Sequence, residues 1–128
     1  MQTKHEIERI LASAGTAPNK RLGQNFLIDL NLMRKLIDAA EIQTNDVVLE
    51  VGCGTGSFTE GLSEVAGFLI GVEYDNILAP IVIRNFENTE NVKIINADIL
   101  ENKHTLCAQA VEAVKQAQAK LKKTDRYF

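Results

Sequence analysis

Apolar positions along this chain follow two rhythms, one helical and one extended. Near the start, Ile7, Ile10, Leu11 and Ala14 recur at helical spacing, and Gly15 ends the run. Thr3-Lys4-His5-Glu6 precedes them as a capping box, in which the Thr3 hydroxyl and the Glu6 carboxylate can each satisfy an orphan amide. A second stripe, Leu30, Met33, Leu36, Ile37 and Ala40, follows Asp29, a side chain suited to an N-cap. The rhythm then changes. Val47–Val51, Phe68–Val72 and Val92–Ala97 are short runs rich in β-branched residues, the length and composition of buried strands. Between them lie helical segments. Ser57–Val65 offers Phe58 and Leu62 for packing, and Ile77–Phe86 follows Asn76 as a cap, with Pro80 in a first turn where its missing N–H costs little. A longer last helix, capped by Thr105, carries Cys107, Ala110, Val111, Val114, Ala117 and Leu121 on one stripe. The order helix, helix, then strand–helix three times over predicts an α/β domain with a parallel sheet.

The junctions carry the chemistry. The first strand runs straight into Gly52-Cys53-Gly54-Thr55-Gly56, a glycine at every second position. Glycine has no Cβ, so such a turn lets bare backbone approach a ligand. The second strand ends at Glu73, about 20 residues on, the spacing that sets a carboxylate beside a ribose. The third ends at Asp98. Ligands of open α/β sheets bind outside the carboxyl ends of the strands, so the three ends are expected to converge on one crevice. Any one of them has a bland reading, because chains often turn at Gly or Asp. The dinucleotide fingerprint G-x-G-x-x-G fails at Ser57, and no Gly-Lys-[Ser/Thr] follows to make a P-loop. Glu50-x-Gly52-x-Gly54-x-Gly56 suits S-adenosylmethionine, which has no phosphate. Glu73 can accept from its ribose hydroxyls and Asp98 from its adenine amine.

Composition narrows the classes. The chain has 128 residues, room for one small domain, and 45% hydrophobic residues. No apolar run approaches the roughly 20 residues of a membrane span, and the polar N-terminus lacks a secretory core, so the cytoplasm is the expected compartment. Two cysteines, Cys53 and Cys107, and two histidines make neither a disulfide framework nor a zinc site, and no metal site is expected. A formal net charge of −3 argues against tight nucleic-acid binding by this chain alone. The basic cluster Lys120, Lys122, Lys123 and Arg126 reads most simply as cations complementing a helix C-terminus. The segment between Gly15 and Asp29 is long, polar, cationic and aromatic by turns, as functional loops often are.

That segment is the most specific part of the chain. Lys20-Arg21-Leu22-Gly23-Gln24-Asn25-Phe26-Leu27-x-Asp29 is similar to the N-terminal signature of the ribosomal RNA adenine N6,N6-dimethyltransferase family, whose members methylate two adjacent adenosines of small-subunit rRNA. The order of the later motifs agrees, with Glu50–Gly56, then Val72-Glu73-Tyr74-Asp75, then Ala97-Asp98-Ile99-Leu100. The resemblance spans about Pro18 to Leu100 and implies a Rossmann-like S-adenosylmethionine-dependent methyltransferase fold with N-terminal helices. It implies that Asn25 and Leu27 contact the cofactor, that Gly52 lines its methionyl end, and that Glu73 and Asp98 hold ribose and adenine. Phe26 and Leu27 can also be plain packing residues under a loop. Cys53 stands where family members often have proline, a change of little expected cost.

The larger departure is an absence. The family's methyl-acceptor motif, Asn-Leu-Pro-Tyr after a fourth strand, does not occur, and Arg126-Tyr127-Phe128 resembles the beginning of that strand. The expected fold is therefore truncated after about three parallel strands. Residues 1–128 would form the cofactor-binding part of the domain, without its second half or an RNA-contacting C-terminal domain. The acceptor motif orients a flipped adenine, whose N6 lone pair is delocalised into the ring. Without it, no catalytic residue is assigned, methyl transfer by this chain alone is expected to be weak or absent, and so is rRNA binding. Two other readings stand beside this one: a large-subunit rRNA methylase of the resistance type, and a non-catalytic binding or assembly factor. A nicotinamide dehydrogenase is disfavoured by Ser57. Val47–Val51 is expected to be an exposed apolar edge, which would be covered by the last helix or would pair with a second copy.

Overall fold

The computed structural model describes residues 1–15 and 29–124, with side chains as far as Lys122. Helix α1 spans Lys4–Ser13 and α2 spans Leu30–Ala40. Three strands, β1 (Val47–Val51), β2 (Phe68–Glu73) and β3 (Val92–Asn96), alternate with α3 (Ser57–Val65) and α4 (Leu78–Phe86). They form one parallel sheet in the order β1-β2-β3, with Val51 opposite Val72 and Glu73 opposite Asn96. A small antiparallel hairpin, β4 (Leu100–Asn102) and β5 (Thr105–Leu106), leads into α5 (Ala108–Thr124). The parallel α/β expectation holds.

Side-chain alternation on β2 sorts the layers. Phe68, Ile70 and Val72 face α5, where Ile95 of β3 and Cys107, Ala110, Ala113 and Ala117 complete one core. The small residues of α5 let the helix lie close to the sheet, and Ala110 is buried to 1% exposure. The opposite face, with Gly71 and Ile94, meets Cys53 of the glycine loop and Val82 and Phe86 of α4. Both faces of β2 are covered, which is why its sequence reads as an apolar run rather than an alternation. Beyond α4, Ile7 and Leu11 of α1 pack on Leu78 and Ile81.

Local capping follows the expected logic in most places. Thr3 Oγ1 accepts from the Glu6 amide at 3.2 Å, and its hydroxyl also lies 3.2 Å from the Glu6 carboxylate. Asp29 accepts from the amides of Asn31 and Leu32. Two caps differ. Asn76 does not cap α4: the N-cap is Ile77, with no side-chain cap bond, and it is Asp75 just upstream whose Oδ1 accepts from the amides of Ile77 at 2.7 Å and Leu78 at 3.2 Å. Thr105 caps nothing and lies in β5. The last helix begins three residues later, where Glu101 accepts from the Ala108 amide at 2.7 Å and the Cys107 carbonyl from Val111. A cross-strand pairing of Leu100 with Leu106, together with a bond from the Cys107 amide to the Ile99 carbonyl, outweighs the helical stripe at that point.

The stripe on α2 is also less buried than its spacing predicts. Met33 is fully enclosed, but Leu36 is 46% exposed. Leu36 and Ala40 line an open groove of about 590 Å³ with Leu49 and Val51 of β1 and Phe58 of α3. The groove exists because β1 is an edge strand among the described residues. The Gly52 amide donates to the Val72 carbonyl. Main-chain groups alternate along a strand, so Glu50 and Val48 face β2 while Leu49 and Val51 turn theirs outward. Helix α5 packs on the sheet face and does not cover this edge among the described residues, and Val51 is 57% exposed.

Candidate functional site

The glycine loop closes the end of β1 by an unusual backbone path. Gly52, Gly54 and Gly56 all have positive φ, of 81°, 59° and 88°. At Gly52 the space a Cβ would enter is open to 4 Å, so the left-handed backbone presents a bare surface there. At Gly56 a Cβ would meet the Phe86 ring at 3.0 Å, so this glycine also permits close packing of loop on α4. The Gly56 amide returns to the Cys53 carbonyl at 2.9 Å, and Gly56 then serves as the N-cap of α3.

Glu73 joins this loop to β2. It is 4% exposed, and its Oε1 accepts from the Gly54 amide at 2.7 Å while Oε2 accepts from the Asp75 amide at 2.9 Å. Each carboxylate oxygen keeps a second lone pair for a further donor. The end of β2 thus clamps the turn that follows β1. Asn96, at the end of β3, donates to the Glu73 carbonyl at 3.0 Å and ties the third strand to the same rim.

A second carboxylate lies beneath the loop. Glu50 is 8% exposed, and its Oε1 accepts from the Thr59 hydroxyl at 2.6 Å. Burial pushes its carboxyl up from 4.5 to about 7, the Thr59 hydrogen bond opposes the rise, and the nearby Glu73 charge adds to it. The Cys53 thiol, buried beside Glu50 and Glu73, is pushed up strongly by burial and then by those two charges. It is a packing group and no nucleophile at neutral pH. No cluster of metal-ligating side chains occurs among the described residues.

Of the five residues singled out from sequence, Gly52 and Glu73 meet through Gly54. Asp98 lies two residues beyond β3 on the same rim of the sheet, exposed, with Oδ1 accepting from the Leu100 amide at 3.0 Å. Asn25 and Leu27 lie outside the described residues. The groove along β1 takes in Gly52 and Gly54 but neither Glu73 nor Asp98. The groove thus reaches the glycine loop but stops short of the two carboxylates. Sequence reasoning missed Tyr74 and Gln2. Tyr74, next after Glu73, is 54% exposed and offers an aromatic face at the rim, which its place just past a strand end could have signalled. Gln2 is bonded to Thr55 and Ser57 of the loop, and no local pattern announces a contact between residues so distant in sequence.

The arrangement suits S-adenosylmethionine in outline. It offers bare backbone with open space at Gly52, free lone pairs on Glu73 and an exposed ring at Tyr74. Residues 15–127 match the family described as "Ribosomal RNA adenine dimethylase". Curated relatives include "Ribosomal RNA small subunit methyltransferase A" of Alkaliphilus metalliredigens (strain QYMF), 40% identical over 73% of this chain and 33% of the relative. The protein of the same name from Staphylococcus haemolyticus (strain JCSC1435) is 41% identical over 77% of this chain and 33% of its own length. The chain thus spans about a third of these relatives. Among solved structures, the 23S rRNA methyltransferase ErmE superposes with a TM-score of 0.57 at 30% identity, over 63% of this chain and 33% of that one. A dimethyladenosine transferase from Plasmodium falciparum gives a TM-score of 0.56 at 24% identity, over 72% and 37%, a likeness of fold.

Proposed function

The chain belongs to the ribosomal RNA adenine dimethylase family, and from that membership we propose that residues 1–128 are the cofactor-binding part of an S-adenosylmethionine-dependent methyltransferase domain that dimethylates adenosine N6 in small-subunit rRNA. The observation that carries the reading is the buried Glu73 clamping Gly54, which brings a ribose acceptor and a bare glycine turn within one hydrogen bond of each other. In this reading Gly52 lines the methionyl end, Glu73 accepts from the ribose hydroxyls, and Asp98 accepts from the adenine amine. Tyr74 offers a stacking face, and Asn25 and Leu27 complete the pocket wall. The bound cofactor supplies a methyl group already activated by its sulfonium. The protein's task is to orient it and exclude water.

Small-subunit rRNA is favoured as the substrate over large-subunit rRNA because the curated relatives at 40–41% identity carry the small-subunit name. The ErmE likeness supports a related branch. These 128 residues contain no Asn-Leu-Pro-Tyr, the family's methyl-acceptor motif. We expect no methyl transfer and little rRNA affinity from them alone. No described helix is long and apolar enough to cross a membrane. The open β1 edge supports a second proposal, self-association by antiparallel pairing of Val47–Val51 across a two-fold axis.

Calorimetry with S-adenosylhomocysteine tests the site. The wild-type chain should bind. Asp98→Ala, an exposed change that leaves the core intact, should weaken binding about tenfold, the loss of one hydrogen bond to a charged acceptor. No binding by the wild type would favour a non-catalytic remnant of the fold.

A further inference from the structure

Gln2 is only 9% exposed although it stands next to the chain start. All four of its polar groups engage the glycine loop. Its main-chain amide donates to Ser57 Oγ at 2.8 Å, and its carbonyl accepts from that hydroxyl at 3.2 Å. Its Nε2 donates to the Thr55 carbonyl at 2.9 Å, and its Oε1 accepts from the Thr55 hydroxyl at 2.7 Å. Thr55 and Ser57 flank Gly56, whose φ of 88° starts α3 without a side-chain cap bond.

The segment is anchored on both sides of this contact. The Met1 side chain fills the notch over Gly61 of α3, with its Sδ 2.7 Å from where a Cβ would stand, next to Ile37 of α2. On the other side Thr3 caps α1, which is held to α4 by Ile7 and Leu11. Three residues therefore strap the glycine loop to three helices. A loop with three positive-φ glycines has many conformations to lose. A ligand that needs one of them binds more weakly by the cost of selecting it, unless the loop is already held.

We propose that Gln2 is a positioning residue whose side chain holds the glycine loop in its ligand-binding form before the cofactor arrives. This rests on the cofactor reading above and adds a residue that touches no ligand. The test uses the chain without any N-terminal extension, in the wild type and as Gln2→Ala, Thr55→Val and the double variant. Amide hydrogen exchange of the ligand-free proteins is the first readout. The Gly54 and Gly56 amides should exchange about tenfold faster in Gln2→Ala, while Leu69 and Ala97 in the sheet exchange as in the wild type. Affinity for S-adenosylhomocysteine is the second. Gln2→Ala, which removes both side-chain bonds, should bind about tenfold more weakly; Thr55→Val, which removes only the bond to Oε1 and leaves Nε2 on the Thr55 carbonyl, should lose less, and the double variant should be no worse than Gln2→Ala. Leu11→Ala, which loosens α1 without touching the loop contact, serves as a control for general destabilisation and should leave loop exchange below that of Gln2→Ala. Unchanged loop exchange and unchanged affinity in Gln2→Ala would overturn the proposal. If the wild type binds no S-adenosylhomocysteine, the cofactor reading fails, and the exchange data still decide whether Gln2 holds the loop.

Discussion

Replacing Glu50 by Gln should make the protein more stable at alkaline pH, and the size of the effect should depend on pH in one direction. Glu50 is 8% exposed under the glycine loop, and burial raises its carboxyl from 4.5 to about 7. Below pH 4.5 the group is protonated whether the chain is folded or not, and it costs nothing. Between 4.5 and about 7 the unfolded chain releases the proton while the folded chain keeps it, so stability falls as pH rises. Above about 7 the fold must hold a buried carboxylate, and the loss is complete. At about 1.4 kcal/mol per pH unit, the gap corresponds to about 3 kcal/mol. A glutamine can still accept from Thr59, but its amide adds a buried donor that costs about 1 kcal/mol if left unpaired. That cost is the same at every pH. The firm quantity is therefore the change in the difference between variant and wild type from pH 4 to pH 8, about 3 kcal/mol in favour of the variant. Urea unfolding of both ligand-free proteins, followed by circular dichroism at several pH values, measures it, because subtraction cancels the titrating groups that do not interact with Glu50 and leaves only its coupling to Glu73 and Cys53. A difference that stays flat across this range would refute the claim that the Glu50 carboxyl is buried and protonated near neutrality.

Two further outcomes follow from packing and from the open edge. Gly71→Ala would place a methyl 2.6 Å from Cys53 Sγ and 2.7 Å from Ile94 Cδ1, and should lower stability by about 2 kcal/mol in thermal denaturation; adding Cys53→Ala should recover part of the loss, and failure to do so would remove Cys53 as the obstacle. If β1 pairs with a second copy, analytical ultracentrifugation should find a dimer that Val51→Lys converts to a monomer; a wild-type monomer at all concentrations would exclude self-association through that strand.

Much of this protein is legible in its sequence, because the deciding signals are local. Thr3 and Asp29 sit one residue before their helices, and their side chains bond to amides two or three residues away. The run from Val47 to Gly56 sets a strand against a turn that only glycine tolerates, and Glu73 follows at the next strand end, although β1 is a half-exposed edge and not the buried strand its composition predicts. The resemblance of Glu50–Gly56 and the segment before Asp29 to a methyltransferase family supplies the class, and the family match supports it. Those readings need only neighbours in the chain.

What tertiary structure alone decided is where distant residues meet. The stripe on α2 predicts burial for Leu36, but burial requires a partner, and an edge strand leaves a groove there. The helical stripe near Cys107 competes with a hairpin pairing that periodicity cannot weigh, so Thr105 lies in a strand. Glu50 reads as one motif letter among others; its raised pKa comes from desolvation by α3 and the loop packed over it. Gln2 carries no signal at all, and its role appears only when the fold brings it to Thr55, 53 positions away. Local propensity is a property of neighbouring residues, whereas burial, desolvation and long-range hydrogen bonds belong to the assembled chain.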